Sequence, residues 1–226
     1  MLQQIDKKYK WIGISFLFIV LTTFNLANSN FINIFFPIKV IEYNKTFFLM
    51  ESTKSKVNNL LKNKSLLWIN TKHAKNLFNK NIWVKTVMFT KKFPDTLQIS
   101  ILEYSAIAYF KKNKLIYLIN DNFKNSLIDN NANLENLIEV KNMKNMKDFK
   151  TFFLKITNED VFFSKIKVIN YVHDGRWDVV LKNGQLIKLG NYNLNKQVKY
   201  LNFILNNQIA KIIDLRYEGR VILANE

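Results

Sequence analysis

The chain has 226 residues, 48% of them hydrophobic and 14% aromatic, which excludes disorder throughout and allows one large or two small globular units. Its formal net charge is +17, but only Arg176, Arg216 and Arg220 supply guanidinium groups, and the lysines are scattered rather than gathered with aromatics. That dispersal argues against nucleic acid as a partner and for a solvated surface, with a lesser pull toward anionic lipid headgroups within about 10 Å; the lack of cysteine excludes disulfides and thiolate chemistry.

Residues 11–27 read WIGISFLFIVLTTFNLA without a charge, and as a helix would extend about 25 Å, at the short end of what crosses a bilayer. Lys7, Lys8 and Lys10 precede this run and the next basic residue is Lys39. The asymmetry predicts a cytoplasmic tail over 1–10, a transmembrane helix over 11–27, and everything later outside the cytoplasm. The alternative is a cleaved signal peptide, since Ala27 and Ser29 bracket Asn28 in a small-x-small pattern. Both readings export the remainder.

Phe31 to Phe48 predicts a strand centred on Ile38, Val40 and Glu42-Tyr43. Ser52 or Thr53 then looks like the cap of a helix carrying Val57, Leu60 and Leu61 on one face, and a second helix after Asn70-Thr71 repeats that spacing with Ala74, Leu77 and Phe78. Trp83 to Thr90 and Thr96 to Leu102 predict two strands joined by a turn at Phe93-Pro94-Asp95. Ala106 to Phe110 and Leu115 to Ile119 predict two more, joined at Lys111 to Lys114. This is the order of a small α+β unit with helices over one sheet face. The Asn-, Lys- and Asp-rich stretch 120–150, with a strand near Leu137 to Val140, marks the expected boundary.

Beyond it the predicted elements are a helix over Met146 to Ile156 and a strand over Lys165 to Val172. A hairpin follows, with Trp177 to Leu181 and Gln185 to Leu189 flanking Asn183-Gly184. Next come an amphipathic helix from Asn193 to Asn206, carrying Leu194, Val198, Leu201 and Leu205, and a last strand from Ala210 through Tyr217 with Ile213, Leu215 and Tyr217 on one face.

Catalytic chemistry has few residues to stand on. His73 and His173 lie in no metal-binding spacing, and five glycines form no phosphate loop. No serine sits in a nucleophile elbow. Glu103, in an apolar strand before Tyr104, is the one carboxylate placed for burial, and a structural role at a strand end is expected of it. Neither an enzyme nor a cofactor or metal site is expected.

Three blocks carry a resemblance. Trp83 to Phe110, WVKTVMFTKKFPDTLQISILEYSAIAYF, resembles the end of the POTRA domain in the FtsQ/DivIB cell-division family, keeping Trp83, Val84, Pro94, Leu97, Ile99, Glu103 and Ala108. It departs from the family pattern at Ile82, Thr90, Phe93 and Ala106. Trp177 to Gly190 is similar to the family's W-x-x-x-L-x-N-G-x-x-x-x-L-G hairpin, and Asp214-Leu215-Arg216-Tyr217 with Gly219 is similar to its D-L-R-Y-x-x-G strand, although one residue here separates Tyr217 from Gly219 instead of two. The resemblance implies an α+β fold: a POTRA-type domain of β-α-α-β-β order over 31–119, then a mainly antiparallel β domain with flanking helices over 120–226. It implies a non-enzymatic, single-pass inner-membrane scaffold of the divisome at the division septum, with its bulk in the periplasm. The implied partners are the bitopic division proteins FtsB and FtsL and the septal peptidoglycan synthesis complex.

The residues suggest how a partner would be held. A strand near the C-terminus has few later residues to cover its edge, which invites strand addition. Asp214, Arg216, Tyr217, Val221, Ile222 and Leu223 are the candidate contact residues, Arg and Tyr being enriched at interface hot spots. The alternative places Tyr217 in the core and Arg216 in a salt bridge with Asp214. The rival function is that of a POTRA-bearing export or assembly factor handling unfolded clients.

Overall fold

The computed structural model describes residues 7–23, 35–128, 134–157, 160–207 and 210–225. Helix α1 covers Lys7–Thr23, and its apolar side chains from Trp11 to Ile19 are exposed. No helix among the described residues is long and apolar enough to cross a membrane. The final four residues of the expected span, 24–27, lie outside the described residues, as do 31–34 of the first predicted strand. The remainder forms two compact units that divide between Glu103 and Tyr104.

The first unit runs β1 (Val40–Tyr43), α2 (Glu51–Leu61), α3 (Lys72–Asn79), β2 (Val84–Lys92) and β3 (Thr96–Glu103), the β-α-α-β-β order expected. Strand β3 lies at the centre, parallel to β1 and antiparallel to β2. Its period-2 alternation buries Leu97, Ile99 and Ile101, which meet Val57 and Leu61 of α2 and Ala74 and Phe78 of α3 in one core. The cap of α2 differs from expectation: Met50 holds that position, without a side-chain hydrogen bond, and Ser52 and Thr53 fall inside the helix. Leu60, expected on the apolar face, is exposed.

Side chains complete this sheet where its strands stop. Just past β1, Asn44 accepts the Ile101 N–H at 2.7 Å and donates to the Ile101 carbonyl at 2.8 Å, continuing the pairing with an amide side chain. Glu103 ends β3 by accepting the main-chain N–H groups of Phe47 and Phe48 at 2.7 and 3.0 Å. Its role here is structural: it satisfies two donors in the turn before α2.

The second unit begins with β4 (Ala106–Lys112) and β5 (Leu115–Asn120). Both were expected in the first domain, but they belong to the second sheet, where β4 pairs with β5 and with β7 (Ile138–Lys141). Both sides of β3 are already taken by β1 and β2, so the next strands cannot join it and pair elsewhere. The unit continues with β6 (Asn125–Ile128), which the sequence reading had missed, β7, α4 (Met146–Ile156), α5 (Asp160–Phe163) and β8 (Ile166–Tyr171). It ends with β9 (Trp177–Leu181), β10 (Leu186–Leu189), α6 (Leu194–Asn207), β11 (Ile212–Leu215) and β12 (Ile222–Ala224).

The sheet order is β12-β11-β10-β9-β8-β7-β4-β5-β6. Five of its pairings are antiparallel, as expected, but the sheet is mixed, because β4–β7, β7–β8 and β10–β11 are parallel. For β7–β8 and β10–β11 the cause is the placement of the helices: α4 and α5 carry the chain from β7 to β8, and α6 carries it from β10 to β11, and a crossover of that kind returns the next strand in the same direction. The inner face of the sheet, including Ile169, Val179, Ile187, Leu189 and Ile213, is sealed by Phe149, Phe152, Phe153 and Ile156 of α4 and by Val198 and Leu201 of α6.

Aromatic rings concentrate under α4. Trp177 stacks on Phe152 with ring centroids 4.8 Å apart and meets Tyr171 edge-on at 5.0 Å. Phe149 is fully buried between Phe153 at 5.3 Å and Phe123 at 6.1 Å. Asn145 caps α4 by accepting the Asp148 N–H at 2.8 Å. Phe149→Ala removes the centre of this layer and should cost about 3–5 kcal/mol of stability, measured by urea denaturation of the full chain.

Candidate partner-binding edge of the second sheet

The candidate residues near the C-terminus fall at the end of the nine-stranded sheet. The expected last strand, Ala210 to Tyr217, is shorter than its sequence pattern: β11 stops at Leu215, and a second strand, β12, folds back on it. The register places Ile222 opposite Asp214, Leu223 opposite Ile213, and Ala224 opposite Ile212. The edge of the sheet is therefore β12 rather than β11. Gly219, with φ of +76°, and the Arg220 N–H donating to the Tyr217 carbonyl at 3.2 Å close the intervening turn. This turn accommodates the shortened Tyr217–Gly219 spacing, and the pairing resumes at Ile222.

Asp214 and Arg216 form one rigid unit. The Asp214 side chain is buried, and its Oδ1 accepts the Arg216 main-chain N–H at 3.0 Å and the guanidinium Nε at 2.9 Å, while Nη2 donates to Oδ2. Burial pushes the Asp214 carboxyl up, but the hydrogen bonds from the Arg216 side chain and main chain, with the charges of Arg216 and Lys188, outweigh it and hold the carboxyl below the ordinary range. The same hydrogen bonding and charge raise the Arg216 guanidinium above its usual value. The guanidinium carbon lies 5.8 Å from the Tyr217 ring, within reach of a cation–π contact.

Tyr217 is not a core residue. It follows the end of β11 and is 55% exposed. Val221, Ile222 and Leu223 are exposed as well. The structure thus gathers a strand edge that no other strand among the described residues covers, a fixed arginine, an open tyrosine and three apolar side chains at one margin of the sheet, and the ion pair foreseen as the alternative is present together with the exposed tyrosine.

The support beneath this margin was not legible as such. Gln197, fully buried on α6, accepts the Gly190 N–H at 2.8 Å and donates to the carbonyls of Gly190 and Tyr192 at 3.2 and 2.9 Å. Tyr192 donates from its hydroxyl to the Tyr217 carbonyl at 3.3 Å. A Cβ on Gly190 would stand 2.9 Å from the Tyr192 ring and 3.0 Å from the Arg216 carbonyl, so this glycine permits the close approach of the two loops. Helical periodicity gives no sign of this burial, since Gln197 is a polar residue within an amphipathic helix.

A charged row also escaped the sequence reading. Lys188 of β10 is paired in register with Asp178 of β9 on one side and Asp214 of β11 on the other. Burial pushes the Asp178 carboxyl up, against the opposing charges of Arg176, Lys188 and Arg216. The alternation in W-D-V-V-L and L-I-K-L was the available signal, but it could not show that these strands are neighbours of β11. His173 is exposed beside Asp174 at 3.0 Å, and no group of three or more potential metal ligands occurs among the described residues.

Comparison with known proteins agrees with both units. Residues 40–104 match the POTRA domain, FtsQ-type, and residues 111–216 match the cell division protein FtsQ/DivIB, C-terminal family. The chain is 26% identical over 175 residues to the cell division protein FtsQ of Rickettsia conorii and 28% identical over 175 residues to that of Rickettsia bellii. Each alignment covers 75% of this chain and 65% of the relative, so the matched part spans somewhat under two thirds of those proteins. With a POTRA unit followed by a FtsQ/DivIB C-terminal unit in the same chain, the protein belongs to the FtsQ/DivIB family of cell division proteins.

Proposed function

We propose that this protein is a non-enzymatic scaffold of the bacterial division machinery. It is anchored in the inner membrane through the segment that includes α1, with its two folded units on the periplasmic side. Three lysines ahead of the apolar run support that orientation. Its partners are bitopic division proteins of the FtsB and FtsL type, and through them the septal peptidoglycan synthesis complex. The observation that carries this reading is the β12 edge, which no other strand among the described residues covers, flanked by Arg216 and Tyr217. A partner segment adds there as a further strand, its main chain pairing with Ile222–Ala224.

The residues divide the work. Main-chain pairing along β12 supplies affinity that does not depend on side-chain identity. Tyr217, Val221, Ile222 and Leu223 offer apolar surface for alternate side chains of the added strand. Arg216, already oriented by Asp214, presents its remaining N–H groups to a carboxylate without paying the full cost of ordering a long side chain. Asp214 is thus a positioning residue for Arg216.

A photoreactive residue placed at Tyr217 in dividing cells should capture a small coiled-coil membrane protein of the division machinery, and a spread of unfolded exported clients would instead establish the assembly-factor reading. Tyr217→Ala should weaken that partner by at least ~2 kcal/mol in a binding titration, with the denaturation midpoint unchanged. The Asp214 carboxyl has a lower pKa folded than unfolded, so its stabilising contribution is present above the unfolded value of about 3.9 and is lost as pH falls through the folded value. Asp214→Asn should accordingly cost about 1–3 kcal/mol at pH 7, and the gap from the parent should shrink toward pH 2 in urea titrations at both pH values.

A further inference from the structure

The first unit has a free edge of its own. β1 pairs with β3 on one side, and among the described residues no strand pairs with the other. Alternate main-chain N–H and C=O groups of Val40–Tyr43 therefore point away from the sheet with no ladder partner. Beside that edge lies an open cleft of about 620 Å³, walled by Lys39, Ile41 and Tyr43 on the strand side and by Ser55 and Asn58 of α2 and Lys62 just past its end.

The cleft is basic and polar. Lys54, also on its wall, is paired with Glu51 at 2.7 Å and stands 5.7 Å from the Tyr43 ring. Lys39 and Lys62 have no carboxylate within ion-pair distance among the described residues, so the cleft carries two positive charges left uncompensated. Tyr43 donates to Asn58 Oδ1 at 2.8 Å, fixing one wall against the other. Burial, and then the charge of Glu51, push the Tyr43 hydroxyl up to about 12, so it remains a neutral donor.

We infer that the β1 edge and this cleft form a second partner site, which takes an acidic extended protein segment as an added strand. In such a strand, alternate side chains stand on the same face about 7 Å apart, so a segment with carboxylates at every second residue offers them to Lys39 and Lys62 while its main chain pairs with β1. An anionic membrane surface would satisfy the lysines but not the directional main-chain groups of the strand edge, which is why the protein segment is the better fit. This site is separate from the β12 edge and does not depend on the division role.

The test uses the purified full chain in non-ionic detergent and a fluorescent heptapeptide of alternating glutamate and valine, read by anisotropy. The peptide should bind, and a version N-methylated at alternate amides should not. Lys39→Glu with Lys62→Glu should weaken binding about tenfold or more, whereas Lys114→Glu with Lys124→Glu, the same change in net charge on the other unit, should leave it unchanged. Equal binding of the methylated peptide, or equal loss in the two double variants, would reduce the attraction to general charge and overturn the proposal. Displacement of the peptide by phosphatidylglycerol vesicles as effectively as by unlabelled peptide would assign the cleft to lipid and overturn it too.

Discussion

The aromatic layer between α4 and the second sheet is the contact on which the arrangement of that unit depends. Phe149, Phe152 and Phe153 are buried together on one helix, and Phe149 and Phe152 pack on Trp177, which begins β9. Because the buried side chains alternate along the strand, a register slip of one residue would turn Trp177, Val179 and Leu181 outward together. Burial of this face therefore sets the register of β9, and through its pairings that of β8 and β10. Strand β11 follows from β10 by parallel pairing, and β12 from β11.

The candidate binding margin inherits its geometry from that chain of pairings. Arg216 is held by Asp214, Asp214 sits beside Lys188 in register, and Lys188 belongs to the strand whose inner neighbours are Ile187 and Leu189. The loop below is tied to α6 by three hydrogen bonds through Gln197. Buried polar groups are costly unless their partners are in place, so this clasp specifies one loop conformation as well as stabilising it. The exposed tyrosine and apolar side chains thus stand on a rigid support, which lowers the ordering cost of any partner that docks there.

Among the described residues both units leave strand edges open, with different side chains around them. Near β12 the surroundings are apolar and aromatic with one oriented arginine; near β1 three lysines, one glutamate, serine and asparagine surround Ile41 and Tyr43. Main-chain pairing is similar at any edge, so discrimination between partners rests on these flanking groups. In the proposed arrangement, two edges of contrasting chemistry hold two different segments.

Much of the local structure was legible in the sequence. Period-2 alternation marked Leu97, Ile99 and Ile101, the Asn183-Gly184 pair marked the β9–β10 hairpin, and helical spacing marked α3 through Ala74, Leu77 and Phe78. These signals are local, arising from the two backbone periods and from glycine's access to positive φ. The membership of β4 and β5 in the second sheet, the parallel pairings, and the return of β12 onto β11 were decided by tertiary structure. The same holds for the buried role of Gln197 and the cleft beside β1. Each depends on which strand lies beside which, and pairing brings together residues far apart in the chain through main-chain groups that nearly every residue carries. Side-chain pattern says which face of a strand is buried; the three-dimensional fold alone says who its neighbour is.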